Sequence, residues 1–275
     1  IADGGDGTLE TLVEVSDGRV ETTRVTGPLG KKVKADWGAM GDGRTAVIEM
    51  ARTSGLVLLK PKQLNSLKAT TYGLGEAIRA ALDAGYRHFI IGIGGSATND
   101  AGAGMAQALG AKLLDASGDD IDRGGAALEK LNRIDVSGID PRAKDSTFEI
   151  ACDVSNPLCG PEGASSVYGP QKGASPEQVE ELDAALRHFA HIDRRDLDVE
   201  VNHMPGAGAA GGLGAGMVAF LQGKLRPGVD IVLEAVGFKE KLEGADLVLT
   251  GEGQMDFQTV FSKAPIGVAK LADDL

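Results

Sequence analysis

The sequence predicts an α/β fold with a three-layer body and a second, mixed subdomain, on three observations. Short apolar strands alternate with amphipathic helical stripes through the middle of the chain, the pattern of a parallel sheet covered by helices. Ahead of them, three segments of alternating polarity separated by glycine turns read as an antiparallel meander. Glycine supplies 40 of the 275 residues, against about 19 at an ordinary usage of ~7%. These glycines gather in short loops beside apolar segments, where backbone must turn sharply or approach a ligand closely.

Taken in order, residues 8–15 carry Leu9, Leu12 and Val13 at helical spacing. Residues 20–26, 33–40 and 45–51 are the strands of the meander; in the second, Val33, Ala35, Trp37 and Ala39 alternate with Lys34, Asp36, Gly38 and Met40. Leu74, Ala77, Ile78, Ala81 and Leu82 form a helical stripe that Gly85 ends. Residues 88–93 are short and nearly all apolar, as in a strand buried on both faces. A glycine-rich turn then leads into a helix through Met105 and Leu109, and residues 149–152 form another strand. Ser175-Pro176-Glu177-Gln178 places Ser at the N-cap, Pro at N1 and Gln at N3 of a helix whose buried face is Val179, Leu182, Leu186 and Phe189. Residues 246–250 read as a last strand before Gly251-Glu252-Gly253.

Composition narrows the function. A net charge of −12 argues against a nucleic-acid partner, which demands a basic surface. No apolar run approaches the roughly 20 residues of a membrane helix, and no secretory leader is legible, so the expected location is the cytoplasm. Cys152 and Cys159 are the only cysteines and read as reduced thiols. The four histidines offer no metal spacing beyond His188 and His191, which share a helix and read as structural.

Six segments, most of them glycine-rich, carry the chemistry. Gly92-Ile93-Gly94-Gly95-Ser96-Ala97-Thr98-Asn99-Asp100 follows a strand and opens a helix. That is where open α/β sheets bind ligands. Backbone N–H groups of Gly94 and Gly95, the hydroxyls of Ser96 and Thr98 and the positive helix end suit an anion, and Asp100 suits Mg²⁺ or a proton. No Gly-Lys-Ser/Thr follows, and Ala97 stands where a dinucleotide loop has its third glycine. The plainer alternative is a tight turn with Asn99 or Asp100 as N-cap. Asp3 and Asp6 lie three residues apart in a glycine loop, as Mg²⁺ ligands or as solvated acids of a capping turn. Asp153 and Asn156 follow the strand at 149–152, and Lys172 stands between Gly169 and Gly173 as a mobile point charge for phosphate or carboxylate, or as a solvated surface lysine. Residues 205–216 hold six glycines. They form either a phosphate-contacting loop or a helix packed very closely on its neighbour. Gly251, Glu252 and Asp256 follow the last strand.

In order and spacing, residues 2–8, 92–104, 152–158, 169–173, 205–216 and 250–259 together resemble the bacterial type I glycerate kinase family. The resemblance covers essentially the whole chain. It implies ATP as phosphate donor, Mg²⁺, D-glycerate as acceptor and 2-phosphoglycerate as product. It also implies two domains: a Rossmann/flavodoxin-like three-layer domain, roughly 1–15 plus 225–275, and a mixed α/β domain inserted in it, roughly 16–224, with the active site in the cleft between them. Family members begin with a strand and a Pro-Asp-Ser-Phe-Lys-Gly loop and continue past residues 264–275, so the chain reads as lacking both ends. The implied partners are small molecules, glycerate and ATP, with a homodimer as the expected assembly.

Phosphoryl transfer demands positioning and charge neutralisation more than covalent catalysis. On those terms Asp100, Asp153, Lys172 and Asp256 are the catalytic candidates. Gly94, Gly95, Ser96, Thr98, Asn99, Asn156, Gly251 and Glu252 are candidates for binding substrate or phosphate, and Asp3 and Asp6 for the metal. The alternatives are a kinase of another small hydroxy acid and a non-catalytic nucleotide- or anion-binding module.

Overall fold

A computed structural model gives the structure of the protein and describes residues 7–251 and 264–273. Its strands are β1 (Arg19–Thr26), β2 (Lys32–Ala39), β3 (Thr45–Glu49), β4 (His88–Gly92), β5 (Lys112–Leu114), β6 (Arg133–Asp135), β7 (Thr147–Ala151) and β8 (Lys224–Arg226). The helices up to β7 are α1 (Thr8–Val15), α2 (Ala51–Ser54), α3 (Tyr72–Asp83), α4 (Ala103–Leu109) and α5 (Pro141–Lys144). After β7 come α6 (Ala164–Tyr168), α7 (Pro176–Leu197), α8 (Ala209–Leu221), α9 (Gly228–Ala235), α10 (Phe238–Leu242) and α11 (Ala264–Asp273).

Six strands form one mixed sheet in the order β1-β2-β3-β4-β7-β8. The meander is real, since β1, β2 and β3 are antiparallel neighbours. It continues directly into the parallel part, because β3 pairs in parallel with β4, β4 with β7 and β7 with β8. The meander and the parallel strands therefore form one continuous sheet. The parallel pairing that joins the two halves was hidden, because β3 and β4 lie 39 residues apart and periodicity is local.

The central strands are apolar over most of their length because both sheet faces are covered. Phe89 and Ile91 of β4 join Ala46 and Ile48 of β3 and Phe148 and Ile150 of β7 in the larger core, beneath Leu74, Ile78 and Leu82 of α3. Phe89 and Phe148 are register partners and their rings stack at 4.8 Å. Ile90, Val47 and Ala151 point the other way, into a smaller core with Leu9, Leu12 and Val13 of α1 and Ile231 and Val232 of α9. Helices from the beginning and end of the described chain therefore share one face of the sheet.

One element departs from the sequence reading. Residues 246–250 carry no strand, and Leu247 and Leu249 are 76% and 87% exposed, since no described strand pairs with that segment. Alternation of apolar residues licenses a strand only where a sheet edge receives it. At residues 205–216, where the sequence left two readings open, close packing accounts for the composition. Ala210, Gly211 and Gly212 take left-handed backbone angles that break the start of α8. A Cβ on Gly211 would stand 2.0 Å from the Thr98 carbonyl oxygen, and one on Gly216 2.2 Å from that of Ala101. Ala101 N–H donates to the Gly211 carbonyl at 3.1 Å, which ties the two segments together.

Gly211→Ala is expected to cost about 3 kcal/mol or more, since it adds a backbone collision to left-handed strain. Gly118→Ala, also at positive φ but with nothing within 4 Å of its Cβ, is expected to cost only ~1–2 kcal/mol. Urea denaturation midpoints of the two variants check the difference, and equal losses would contradict the packing account.

Candidate functional site

The loop of residues 93–102 leaves the carboxyl end of β4 and lies between two other segments. On one side it is pinned to the chain that follows β3. Leu56 N–H donates to the Gly95 carbonyl at 2.9 Å and Ala97 N–H to that of Ser54 at 3.0 Å, with a bridge between Gly55 and Ser96. Gly95 sits at φ +70° with Ala51 close behind it, which suits glycine. On the other side the loop meets the glycine-rich start of α8. Gly94 and Gly95 are exposed, whereas Ser96 and residues 97–102 are buried.

A pocket of ≈ 260 Å³ opens over this loop. Gly94, Gly95 and Ser96 form one wall; Cys152, Asp153 and Val154, after β7, form another; Tyr168, Gln171 and Lys172 close it, with Ala209 and Ala210. Among the described lining residues Lys172 is the only cation and Asp153 the only carboxylate. Of the sequence candidates, the fold thus brings Gly94, Gly95, Ser96, Asp153 and Lys172 to one cavity.

Lys172 ends a single 3-10 turn, Pro170–Lys172, that Gly173 terminates at φ +86°. It is 1% exposed and its Nζ donates to the Thr98 carbonyl at 2.7 Å. Burial pushes the ammonium down to about 7, against which the charge of Asp100 pulls it back up. It is not the solvated surface lysine that was the alternative.

Asp153 stands at the amino end of α9, where its Oδ1 accepts from Gly228 N–H at 2.9 Å. Beside it, burial raises the Cys152 thiol, which donates to the Val154 carbonyl at 3.4 Å.

The remaining candidates lie elsewhere. Asp100 is 0% exposed and faces no pocket. Its Oδ2 accepts from Thr71 N–H at 2.8 Å, Thr71 Oγ1 at 3.0 Å and Gly104 N–H at 3.3 Å, and its Oδ1 accepts from Gly102 N–H at 3.3 Å. Asp100 is thus held by the protein's own donors and is not among the residues lining this pocket, so no contact here supports the direct substrate, base or metal role expected of it. The same contacts correct the expected helix-end anion site. Helix α4 begins only at Ala103, and its first amides face Asp100 and Thr71. The anion at that helix end is the protein's own.

Thr98 and Asn99 are also 0% exposed and lie under the loop, where Asn99 Nδ2 donates to Ser165 Oγ at 3.0 Å. Thr98 Oγ1 and Asn99 Oδ1 are buried without a partner. Asn156 stands one contact behind the pocket. Its Oδ1 accepts from Tyr168 OH at 2.7 Å and its Nδ2 donates to the Glu162 carbonyl at 2.8 Å, so it orients a lining tyrosine. Gly251 is exposed and is not among the lining residues. Asp3, Asp6, Glu252 and Asp256 lie outside the described residues. His188 Nε2 meets the Leu131 carbonyl at 2.6 Å, in keeping with a structural reading.

Tyr168, Gln171, Leu56, Ala209 and Ala210 line the pocket without having been singled out as site residues. Gln171 adjoins Lys172 between Gly169 and Gly173, and Tyr168 immediately precedes that segment; this adjacency was the available signal. Leu56 carried none, since only the bridge between Gly55 and Ser96 brings it there.

The sequence model of the glycerate kinase family matches residues 1–275. The chain is 56% identical over 272 residues to the glycerate kinase of Bacillus subtilis strain 168, with 99% of this chain and 71% of that protein covered. It is 52% identical to the glycerate 2-kinase of Escherichia coli K12, again covering 99% and 71%. Its structure superposes with a TM-score of 0.95 on the crystal structure of a glycerate kinase 2 candidate from Salmonella typhimurium LT2, at 56% identity, covering 99% of this chain and 73% of that one. With a pocket built of exposed loop amides, one buried lysine and one carboxylate, the chain belongs to the glycerate kinase family.

Proposed function

We propose that this pocket transfers the γ-phosphate of ATP to D-glycerate, and that the product is 2-phosphoglycerate. The observation that carries the reading is Lys172, a fully buried cation whose ammonium bonds the Thr98 carbonyl and which lines one ≈ 260 Å³ cavity with Gly94, Gly95, Ser96 and the Asp153 carboxylate. ATP as donor follows from membership of the family. Support for the 2-hydroxyl comes from the name of the Escherichia coli relative, a glycerate 2-kinase.

Both reactants are anions, so the protein must neutralise charge as it aligns them. Lys172, pushed down to about 7, is only partly protonated at neutral pH in the empty pocket. An anion arriving beside it stabilises the ammonium, so the lysine gains its full charge when substrate binds. The amides of Gly94 and Gly95 and the Ser96 hydroxyl offer donors without a second cation. Tyr168, held by Asn156, and Ala209 and Ala210 bound the cavity opposite them.

The donor set fits Mg²⁺, which takes one or two carboxylates and completes its shell with water and substrate phosphate. Asp153 is the residue that would hold it. The ion would screen the phosphate charges against the incoming hydroxyl. We extend the proposal to the organisation of the chain, with residues 1–15 and 225–275 as one unit and 16–224 inserted. Its support is that α1 and α9 lie side by side. No described helix is long and apolar enough to cross a membrane; the cytoplasmic setting is proposed on the likeness to the bacterial glycerate kinases.

Lys172→Ala and Asp153→Asn are each expected to lower kcat with glycerate at least ~100-fold, with circular dichroism and Tm close to those of the parent. Coupled ADP release measured with glycerate, glycolate, lactate and tartronate checks both the residues and the substrate. Parent-like kcat in both variants would remove the site assignment, and equal rates with glycolate or lactate would remove the substrate. The phosphoglycerate isomer is read by NMR of the product.

A further inference from the structure

Lys172 poses a physical problem that its own contacts do not solve. An ammonium taken wholly out of water loses its proton readily, and its Nζ donates to a single neutral acceptor, the Thr98 carbonyl. The titratable groups that face it from the packed segments are few. Cys152 and Asp153 come from the chain after β7 and Tyr168 from α6; α8 contributes only Ala209 and Ala210. From the loop after β4 comes Asp100, whose charge acts on Lys172 through space and lies two residues beyond the carbonyl that holds it.

The hydrogen bonds around Asp100 favour its carboxylate form. Four donors converge on its two oxygens, and none of its partners offers an acceptor for a carboxyl proton. Thr71 Oγ1 accepts from Met105 N–H at 2.9 Å, so its own proton is directed to Asp100. Burial still raises the Asp100 carboxyl above the usual range, and these four donors oppose that rise. The donors come from the start of α3 and the start of α4, so the carboxylate ties both helices to the loop.

We propose that Asp100 is a positioning residue for Lys172. Its buried carboxylate fixes the turn that carries the Thr98 carbonyl, and supplies the negative charge that keeps the lysine an ammonium beneath the pocket. This rests on the role given to Lys172 above. Asp100 touches neither substrate nor metal and acts only through the loop and the lysine. A carboxylate in the pocket itself would repel the anions that must bind there, whereas one buried behind the lysine is satisfied by the protein.

The test is the pH dependence of kcat in the full chain. The parent is expected to show an alkaline limb from loss of the Lys172 proton in the complex. Asp100→Asn keeps the shape and an acceptor oxygen and removes the charge. Its limb should move to lower pH by about one unit, with kcat falling more than KM rises. Lys172→Arg does not titrate in this range, so its profile should be flat on the alkaline side, and the double variant should be flat as well. Asp100→Glu restores the charge and should return the limb to the parent position, even where the longer side chain lowers kcat. A limb unmoved in folded Asp100→Asn would overturn the role of Asp100 while leaving Lys172 in place. So would a limb displaced in Asp100→Glu as far as expected for the asparagine variant, and this reading serves if the asparagine variant does not fold. A limb that persists in Lys172→Arg would overturn the assignment of Lys172 itself.

Discussion

A buried ammonium must be given a reason to stay charged, and at this pocket that reason is assembled from backbone. Lys172 reaches the Thr98 carbonyl because residues 98–102 are held in one conformation. Asp100 binds that turn from within through Thr71, Gly102 and Gly104, and Gly211 and Gly216 let α8 close on it from outside. Loosening either side would allow the carbonyl to drift and the lysine to discharge. The pocket presents a cation only because a carboxylate and several glycines, none of them able to touch a ligand, fix what lies under it.

The sheet explains why the loops meet where they do. Strands β4 and β7 are parallel neighbours in register, Gly92 opposite Ala151, so the chain leaving each emerges at the same edge. Gly94 to Ser96 follow one and Asp153 follows the other. Residues 54–56, beyond the adjacent parallel strand β3, reach the same edge and pin the loop. Ligand sites at the carboxyl ends of parallel strands arise in this way, from geometry common to open α/β sheets.

Local elements were legible in the sequence because local forces make them. The stripe of α3, the meander and the Ser175-Gln178 capping box of α7 each follow from spacing or from a side chain that satisfies nearby amides. What escaped reading was long-range. The joining of β3 to β4 hid the unity of the sheet. Direction of approach was hidden too, so Asp100 in a glycine-rich loop read as a site residue although it points inward and is fully buried. Lys172 was found for its charge, but nothing in a glycine-bounded lysine announces burial. Asn156 was found for its polarity, but its amide is taken by Tyr168 and Glu162. Five of the candidates named from sequence line the pocket, and those that do not either support it from behind, stand apart from it or lie outside the described residues.

The central claim is that glycerate and the transferring phosphate meet between the loop of Gly94 to Ser96 and Lys172. A crystal structure of the protein with D-glycerate and a non-hydrolysable ATP analogue tests it most directly. The account predicts an anionic group of the bound pair within hydrogen-bonding reach of Lys172 Nζ and of the Gly94 or Gly95 amide, with Asp100 still bonded to Thr71 and Gly104. Both ligands bound elsewhere, with this pocket holding only water, would contradict it.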